Sequence, residues 1–479
     1  MEKNQTSRKD QFLIHFENFA ANYSKYKNRF AYYWNDITNY YNFFIQDDSR
    51  VLEIGCGAAD SLAKLKGKHK TGIDFSANML EIAKTNHPDI EFLLMDAENI
   101  TITEQYDVII LSHVIGYFEN IQNVLTSLHP LCHAQTKIFI GYYSRLWEPI
   151  LKLGENLGIK NKVPQQNWLS RLDIENLLYL SGFETFRTNM RIIFPINIPL
   201  LSSFLNKYVA KLPIINNTCL NQFLIARPNP IIFNKEVENQ YSTTIVIPAR
   251  NESGNIEDAI LRLPKFGKHQ EIIFIEGNSS DDTWQKIQEI QIKYKDQYDI
   301  KIGQQPGKGK GDAVRKGYSM ATGDILMILD ADLTMPPEEL PKFYNAIVTG
   351  KGEFINGSRL VYPMEKEAMR FLNTLGNKFF SWVFSWLLEQ PIKDSLCGTK
   401  VMFRKDYIKL IENRSFFGDF DPFGDFDLLF GAYKLNLKII DLPIRYRERT
   451  YGETNISRFT NGMTLLRMCW FAAGKIKFW

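Results

Sequence analysis

The chain has 479 residues, which is long enough for two domains. A hydrophobic content of 44% is ordinary for a globular protein, and a net charge of +3 argues against a broad surface for nucleic acid or another polyanion. The five cysteines are scattered, which argues against a disulfide framework or structural zinc and predicts a reducing compartment. We also expect no secretory signal and no membrane-spanning helix, because the first ten residues are polar and no apolar run reaches about 18 residues.

Residues 11–45 are rich in aromatic side chains at helical spacing, among them Phe12, Phe16 and Phe19. The pattern predicts helices that pack as a lid on a core. A contact between some of the tyrosines and a substrate is the alternative.

A short apolar strand over residues 50–54 carries Glu53 and leads into Gly55 and Gly57. Glycines at this point let the backbone approach a ligand closely. The next strand ends at Asp74, about 20 residues after the loop, where an acid can hydrogen-bond a ribose.

Three further strands are predicted, over residues 90–95, 106–111 and 137–141. Asp96 and Ala97 follow the first of them, and His113 follows the second after one serine. Polar residues that follow successive parallel strands meet at one edge of a sheet.

With this order of strand tips, the segment over about residues 40–227 resembles class I S-adenosylmethionine-dependent methyltransferases. The resemblance implies a Rossmann-like sheet with S-adenosylmethionine as cofactor. It places Glu53, Gly55 and Gly57 under the methionine part, Asp74 on the ribose, and Asp96 with Ala97 beside the adenine. Ala59 stands where the family has a third glycine. His113 either lies near the methyl acceptor or is a histidine at a strand end with no catalytic role.

An insertion over residues 142–186 precedes the last strands and is expected to cover the acceptor pocket. Within it, residues 170–181 read as a capped amphipathic helix that stops at Gly182. We predict a methyltransferase domain over residues 1–227, a linker over 228–241 and a second domain over 242–479.

The second half repeats the pattern of strands with polar tips. A strand over residues 243–248 runs into Pro248, Ala249, Arg250 and Glu252. A second strand ends at Glu276, which is closely followed by Asn278. A glycine-lysine loop then carries Lys310 and Asp312 into a helix.

The apolar run over residues 325–330 predicts a central strand, and Asp330 and Asp332 lie at its end. Two carboxylates there can hold a divalent cation that bridges a diphosphate. The alternative is that Asp330 caps a loop and Asp332 is solvated.

Over about residues 242–450 the chain resembles the inverting family 2 glycosyltransferases of the GT-A fold. The resemblance implies a nucleotide-sugar donor, a UDP- or GDP-sugar, and Mg²⁺ or Mn²⁺ on Asp330 and Asp332. It places the donor against the following residues: Pro248, Ala249, Arg250, Glu252, Glu276, Asn278, Lys310, Asp312 and Asp330.

Two later segments, over residues 356–359 and 394–400, resemble the parts that hold sugar and phosphate in polyprenyl-phosphate sugar synthases, which assigns Arg359 to the substrate. The segment 449–455 resembles the lipid-phosphate motif of those enzymes, beginning at Arg449.

The acidic segment over residues 418–427 lies where inverting members of the family place a base. An attacking hydroxyl needs a carboxylate to take its proton, and we assign that part to Asp425, with Asp427 second. A lipid phosphate is already anionic and needs no such base.

Residues 371–388 predict a helix with one narrow polar stripe, and residues 460–479 add aromatic and basic residues. These segments are either interfacial helices at lipid headgroups or buried within the protein.

The combined prediction is a bifunctional enzyme, cytoplasmic and peripheral on the inner membrane face, that acts in cell-envelope glycan biosynthesis. It transfers a sugar to a lipid-linked or glycan acceptor and a methyl group to the same or a related glycoconjugate. The alternative is a polyprenyl-phosphate glycosyltransferase with a non-catalytic, scaffolding methyltransferase-like domain.

Overall fold

A computed structural model describes residues 7–23, 30–230, 240–359, 371–412, 424–447, 449, 451 and 458–478, with backbone alone for 371–375 and 458–461. Apart from its last two residues, the chain divides into two compact units, Met1–Phe233 and Asn234–Lys477. Most of the linker predicted over 228–241, most of the acidic segment 418–427 and most of the motif 449–455 lie outside the described residues.

The first unit is an α/β domain with seven strands. The strands are β1 (Arg50–Ile54), β2 (His69–Asp74), β3 (Glu91–Leu94), β4 (Tyr106–Ser112), β5 (Cys132–Tyr143), β6 (Phe183–Arg191) and β7 (Asn221–Pro228). The described helices are α1 (Arg8–Ala20), α2 (Ala31–Phe44), α3 (Asp60–Lys64), α4 (Ala77–Asn86), α5 (Ile121–Ser127), α6 (Glu148–Asn156), α7 (Arg171–Leu180) and α8 (Leu201–Lys207).

The strands of this unit form one mixed sheet in the order β3-β2-β1-β4-β5-β7-β6. β1 to β5 pair in parallel, whereas β7 is antiparallel to β5 and β6. β1 lies beside the central strand β4, and its last four residues are buried because helices cover both faces of the sheet. The strand order reverses at β1 and β4, which is where ligands bind in such sheets.

Local sequence explains helix α7, which lies within the insertion. Ser170 accepts a hydrogen bond from the backbone of Asp173, and the Asp173 side chain accepts one from the backbone of Ser170. This reciprocal cap starts α7 where the capped helix was predicted. β5 is longer than predicted, because its last residues pair with β7 up to Tyr143 and Asn221.

The second unit is also an α/β domain with seven strands. The strands are β8 (Ser242–Ala249), β9 (His269–Glu276), β10 (Asp299–Gln304), β11 (Ile325–Ile328), β12 (Phe354–Ser358), β13 (Lys400–Phe403) and β14 (Ile439–Pro443). The described helices are α9 (Ile256–Leu261), α10 (Thr283–Tyr294), α11 (Lys310–Met320), α12 (Leu340–Val348), α13 (Phe371–Leu388), α14 (Arg404–Glu412), α15 (Asp425–Lys434) and α16 (Arg458–Ile476).

The second sheet has the order β10-β9-β8-β11-β13-β12-β14. β8 to β11 are parallel neighbours, and β13 runs antiparallel between β11 and β12. β11 is fully buried, as its apolar run predicts. The carboxyl ends of β8, β9 and β11 therefore lie along one edge and carry the predicted polar tips.

α13 is apolar on most sides, yet only one face of it is covered. Phe384, Leu387 and Leu388 are fully buried within the second unit, whereas Phe379 and Trp382 are about half exposed. α16 likewise exposes Trp470. Burial within the unit therefore applies to one face of α13, and an interfacial position at lipid headgroups stays a prediction. Within the described residues, no helix is both long enough and apolar enough to cross a membrane.

Two candidate active sites

The first candidate site is an open cavity at the carboxyl ends of β1, β2 and β4. Five of the residues assigned to the cofactor line it, namely Gly55, Gly57, Asp74, Asp96 and Ala97. Both glycines have a left-handed backbone, and a Cβ on Gly55 would lie 2.6 Å from a methyl carbon of Val114. The loop therefore needs glycine to stay close to the cavity.

Asp74 connects the glycine loop to the next helix. Its Oδ2 accepts a hydrogen bond from the backbone of Gly57 (2.8 Å), and its Oδ1 accepts one from the backbone of Ser76 (2.9 Å). Burial raises the pKa of Asp74 above its ordinary value, and these two hydrogen bonds oppose that rise. Each carboxylate oxygen keeps a second lone pair that can accept from a ligand hydroxyl.

Glu53 does not line the cavity, although the sequence placed it under the ligand. Its side chain is buried beside β2, and its Oε2 has no hydrogen-bond partner. Burial, with added repulsion from Asp74, raises the pKa of Glu53 to about 8. The alternation of side chains along β1 accounts for the difference, because the neighbour Ile54 faces the cavity instead.

Helix α1 closes one side of this cavity. Lys9, Phe12, Phe16 and Phe19 line it, and Lys9 forms an ion pair with Asp96. The aromatic spacing predicted a lid, but nothing in the sequence pointed to Lys9, because a lysine at a helix start is ordinarily solvated.

His113 lies between this cavity and a smaller one. It is buried, and its Nε2 lies 2.9 Å from the Tyr33 hydroxyl and 3.2 Å from Asn221 Oδ1. Burial lowers the pKa of His113 to about 4, so the ring is neutral at pH 7. The smaller cavity is formed largely by the insertion, through Gln166, Asn167 and Trp168.

The second candidate site lies at the carboxyl edge of the second sheet, where four sequence segments meet. Lys310 Nζ lies 2.5 Å from Asp330 Oδ1. Arg449 bridges two acids, with 2.9 Å to Glu252 Oε1 and 2.8 Å to Asp332 Oδ2. The predicted residues Glu252, Lys310, Asp330, Asp332 and Arg449 therefore form one charged cluster.

Charge interactions set the protonation of this cluster. Burial would lower the pKa of Lys310, but attraction by Asp330 and Asp425 outweighs it, and the pKa is raised above its ordinary value. Burial raises the pKa of Glu252 to about 7, with Arg449 opposing the rise and Asp332 adding to it.

Two glycines let the segments come together. A Cβ on Gly398 would lie 2.1 Å from both Asp330 Oδ2 and Lys310 Nζ. A Cβ on Gly424, whose φ is +76°, would lie 2.5 Å from the Cα of Gly311. The sequence did not point to Gly398 or Gly424, because a close approach between distant segments leaves no local pattern.

The strand tips beside this cluster are joined by hydrogen bonds. Ala249 and Glu276 are register partners on β8 and β9, next to Pro248 and Arg250 in the chain. Glu276 accepts from the backbone of Ser279 and from Gln304. Asn278, with φ +58°, donates to the carbonyl of Gly307.

Asp312 and Arg359 have protein partners in this structure. Asp312 accepts a hydrogen bond from the backbone of Gly307 (2.6 Å) and so holds the loop before α11. Arg359 makes a bidentate ion pair with the buried Asp394, at 2.8 and 2.9 Å. Their assignments to the donor and substrate stay predictions.

The two candidate bases differ in surroundings. Asp425, at the start of α15, is 5% exposed, and Lys400 Nζ lies 3.7 Å from its Oδ1. Asp427 Oδ2 lies 3.6 Å from Arg315 Nη1. No group of three or more His, Cys, Asp or Glu residues is arranged for a metal within the described part of the chain.

Each half of the chain matches a known protein family. Residues 51–134 match the family model described as a methyltransferase domain, and residues 244–411 match that of glycosyl transferase family 2. A dolichol-phosphate mannosyltransferase of Pyrococcus furiosus is 31% identical over 222 residues, which cover 44% of this chain and 58% of that protein. The match thus spans less than two thirds of that relative.

A second relative is the UDP-N-acetylglucosamine–dolichyl-phosphate N-acetylglucosaminyltransferase of Methanococcus voltae, 26% identical over 46% of this chain and 90% of that protein. Among solved structures, a possible histamine N-methyltransferase of Thermotoga maritima is 15% identical, covers 45% of this chain and 99% of its own, and has a TM-score of 0.37.

The predictions of two α/β domains and of two enzyme families are thus confirmed. The chain combines a methyltransferase domain in its first half with a domain of glycosyl transferase family 2 in its second half.

Proposed function

We propose that the chain transfers a sugar from a nucleotide sugar to a lipid-linked phosphate at a membrane surface. We further propose that it transfers a methyl group from S-adenosylmethionine to the same or a related glycoconjugate. The observation that carries the first part is the charged cluster of Glu252, Lys310, Asp330, Asp332 and Arg449 at the carboxyl edge of β8 and β11. Cations and acids together suit a diphosphate and its counter-ion.

The residues present fit a divalent cation. Asp330 and Asp332 offer hard oxygen ligands, and Mg²⁺ is commonly bound by one or two carboxylates together with substrate phosphates. When bound, such a cation stabilises the charge that develops on the leaving diphosphate. Lys310 and Arg449, which neutralise the two acids in this structure, carry the positive charge that binds the remaining phosphate oxygens.

The burial of the candidate bases supports an anionic acceptor. Asp425 is 5% exposed and lies beside Lys400, and Asp427 faces Arg315. A hydroxyl acceptor needs a carboxylate that contacts it, whereas a phosphate is already ionised. The relatives, which by name act on dolichyl phosphate, support the same choice.

The first cavity supports methyl transfer by the first unit rather than a non-catalytic, scaffolding role. Gly55 and Gly57 leave the backbone open to the ligand, and Asp74 holds the loop while keeping acceptor capacity for ribose hydroxyls. Methyl transfer can proceed by holding the acceptor in line with the methyl group. The smaller cavity beyond His113, lined by Trp168 and Tyr143, is our candidate for the acceptor.

Asp332→Asn tests the sugar-transfer site. We expect labelled sugar transfer from UDP- or GDP-sugars to polyprenyl phosphate to fall by about a hundredfold or more, because the neutral amide removes a metal-ligand charge. Methyl transfer from labelled S-adenosylmethionine to a lipid extract should survive. The matched control is Asp299→Asn, an exposed acid paired with His269. Loss of both activities, or retention of sugar transfer, would contradict the assignment.

A further inference from the structure

The two acids that we propose as ligands of the cation are already paired with cations of the chain itself. Lys310 Nζ lies 2.5 Å from Asp330 Oδ1, and Arg449 Nη2 lies 2.8 Å from Asp332 Oδ2. A divalent cation carries charge of the same sign as these side chains and binds the same kind of carboxylate oxygen. Lys310 and Arg449 therefore compete with it for Asp330 and Asp332.

Asp332 has little acceptor capacity left beside Arg449. Its Oδ1 accepts hydrogen bonds from the backbone and from the hydroxyl of Thr334, at 3.1 and 2.8 Å, and its Oδ2 accepts one from Arg449. An ionised carboxylate offers about four lone pairs, and these bonds use most of them. The Asp332 side chain is only 17% exposed, so solvent screens the charges around it weakly. A second positive charge on this carboxylate is therefore unfavourable while Arg449 stays.

Arg449 is attached at two points, which makes it a strong competitor. Its Nη1 lies 2.9 Å from Glu252 Oε1, and Glu252 Oε2 in turn accepts a hydrogen bond from Asn255 at 2.8 Å. The Glu252 side chain is 6% exposed. Exposed ion pairs contribute little to stability, because both side chains move and water screens them. A guanidinium that bridges two sheltered carboxylates is held in place instead.

Lys310 is confined beside Asp330 by the backbone of another segment. It opens α11, and a Cβ on Gly398 would collide with both Lys310 Nζ and Asp330 Oδ2. The segment that carries Gly398 therefore encloses this pair on one side. The ammonium group stays next to the carboxylate that a divalent cation needs.

The balance of charge in the cluster makes the two ligands depend on each other. Glu252, Asp330 and Asp332 face only two cations, Lys310 and Arg449. A divalent cation alone has to bind against both of these positive side chains. A diphosphate offers oxygens to which they can transfer their hydrogen bonds, with arginine as a bidentate donor. Each ligand then makes the other easier to bind, and such a coupling is reciprocal.

We propose that Arg449 and Lys310 make the cation and the nucleotide diphosphate bind together, because each side chain blocks a metal-binding carboxylate until a diphosphate takes it up. The inference rests on the sugar-transfer site proposed above and adds a dependence between its two ligands. Arg449 thus has two functions: it keeps the cation off Asp332 when no diphosphate is bound, and it binds phosphate oxygens when one is.

The first test is titration of the full chain with Mn²⁺ alone, in which electron paramagnetic resonance measures the free ion. Arg449→Gln removes the competing charge and should lower the Kd for Mn²⁺ by about tenfold. The matched control is Arg447→Gln, the same replacement at an exposed arginine two residues away, which should bind Mn²⁺ like the wild type. Asp332→Asn measures binding elsewhere on the chain.

Two results of this titration would overturn the proposal. One is an unchanged Kd in Arg449→Gln, which includes the case in which neither protein binds Mn²⁺ measurably. The other is an equal gain in Arg447→Gln, which would reduce the effect to net charge.

The second test repeats the titration with saturating UDP and with saturating GDP. In the wild type, the nucleotide that binds should tighten Mn²⁺ binding by about 5- to 150-fold. In Arg449→Gln this gain should be about tenfold smaller, because no guanidinium passes from Asp332 to the phosphate. An equal gain in both proteins would overturn the coupling.

Folding and the proposed function are checked separately. Melting temperatures are compared for all variants, and Arg449→Lys keeps the charge while it loses the two-point bridge. This lysine variant should tighten binding of Mn²⁺ alone by a smaller factor than glutamine does, and an unchanged Kd there would also contradict the competition. Failure of UDP and GDP to bind would contradict the proposed function and the coupling, whereas the titration with Mn²⁺ alone still decides the competition.

Discussion

Asp74, at the end of β2, connects the glycine loop to the next helix through Gly57 and Ser76, and one prediction concerns this residue. Asp74→Ala removes two backbone hydrogen bonds and the proposed ribose contact. We expect the affinity for S-adenosylhomocysteine to fall by about tenfold to a hundredfold, the usual range for hydrogen bonds to a charged group. Calorimetric titration measures it, with Asp89→Ala, an exposed acid away from the cavity, as control. Unchanged affinity would refute the ribose assignment.

Glu53 makes the stability of the first unit depend on pH. Its pKa is raised from 4.5 to about 8 by burial and by repulsion from Asp74. The folded state therefore keeps a proton that the unfolded state releases, and the free energy of unfolding falls as the pH rises from 4.5 to about 8.

Glu53→Gln removes this dependence. In the absence of ligand, the variant should gain melting temperature over the wild type through that window, by on the order of 5 °C at pH 8, and the gain should level off above it. The control Glu81→Gln changes an exposed acid and should leave the pH profile unchanged. Parallel profiles for Glu53→Gln and the wild type would contradict the raised pKa.

At the scale of elements, the starts of helices α11 and α15 lie close together because glycines stand at their contact. Gly424 has φ +76°, and a Cβ there would lie 2.5 Å from the Cα of Gly311, next to Lys310. Gly424→Ala should destabilise the second unit by about 1–3 kcal/mol and weaken nucleotide binding, because Lys310 moves from Asp330. Scanning calorimetry with and without nucleotide measures both effects.

The control for this prediction is Gly376→Ala within α13, where a Cβ meets nothing within 4 Å. Alanine in a helix interior should raise stability by about 0.5–1 kcal/mol there. If Gly424→Ala melts and binds nucleotide like the wild type, the two helices are not held by this contact.

Much of both folds could be predicted because buried parallel strands leave continuous apolar runs, as in β11 and β9. The polar residues at the ends of these strands, such as Asp74 and Asp332, also indicate where the two candidate sites lie. Contacts between distant segments could not be predicted in this way. The bridge from Arg449 to Glu252 and Asp332, the pair Arg359–Asp394 and the approach of Gly398 depend on tertiary packing alone.

At the scale of the whole molecule, two enzyme families share one chain. Each unit has its own sheet, and each candidate site lies at the carboxyl edge of its own parallel strands. We therefore expect that the two proposed activities can be removed one at a time, by Asp74→Ala in the first unit and Asp332→Asn in the second.

The most direct test of the central claim is calorimetric titration of the full chain with UDP and with GDP, each with and without Mn²⁺. We predict that one nucleotide binds and that its binding depends on the metal, because Asp330 and Asp332 are the proposed ligands of a cation on the diphosphate. Binding of neither nucleotide, or binding that is indifferent to Mn²⁺ and to Asp332→Asn, would contradict it.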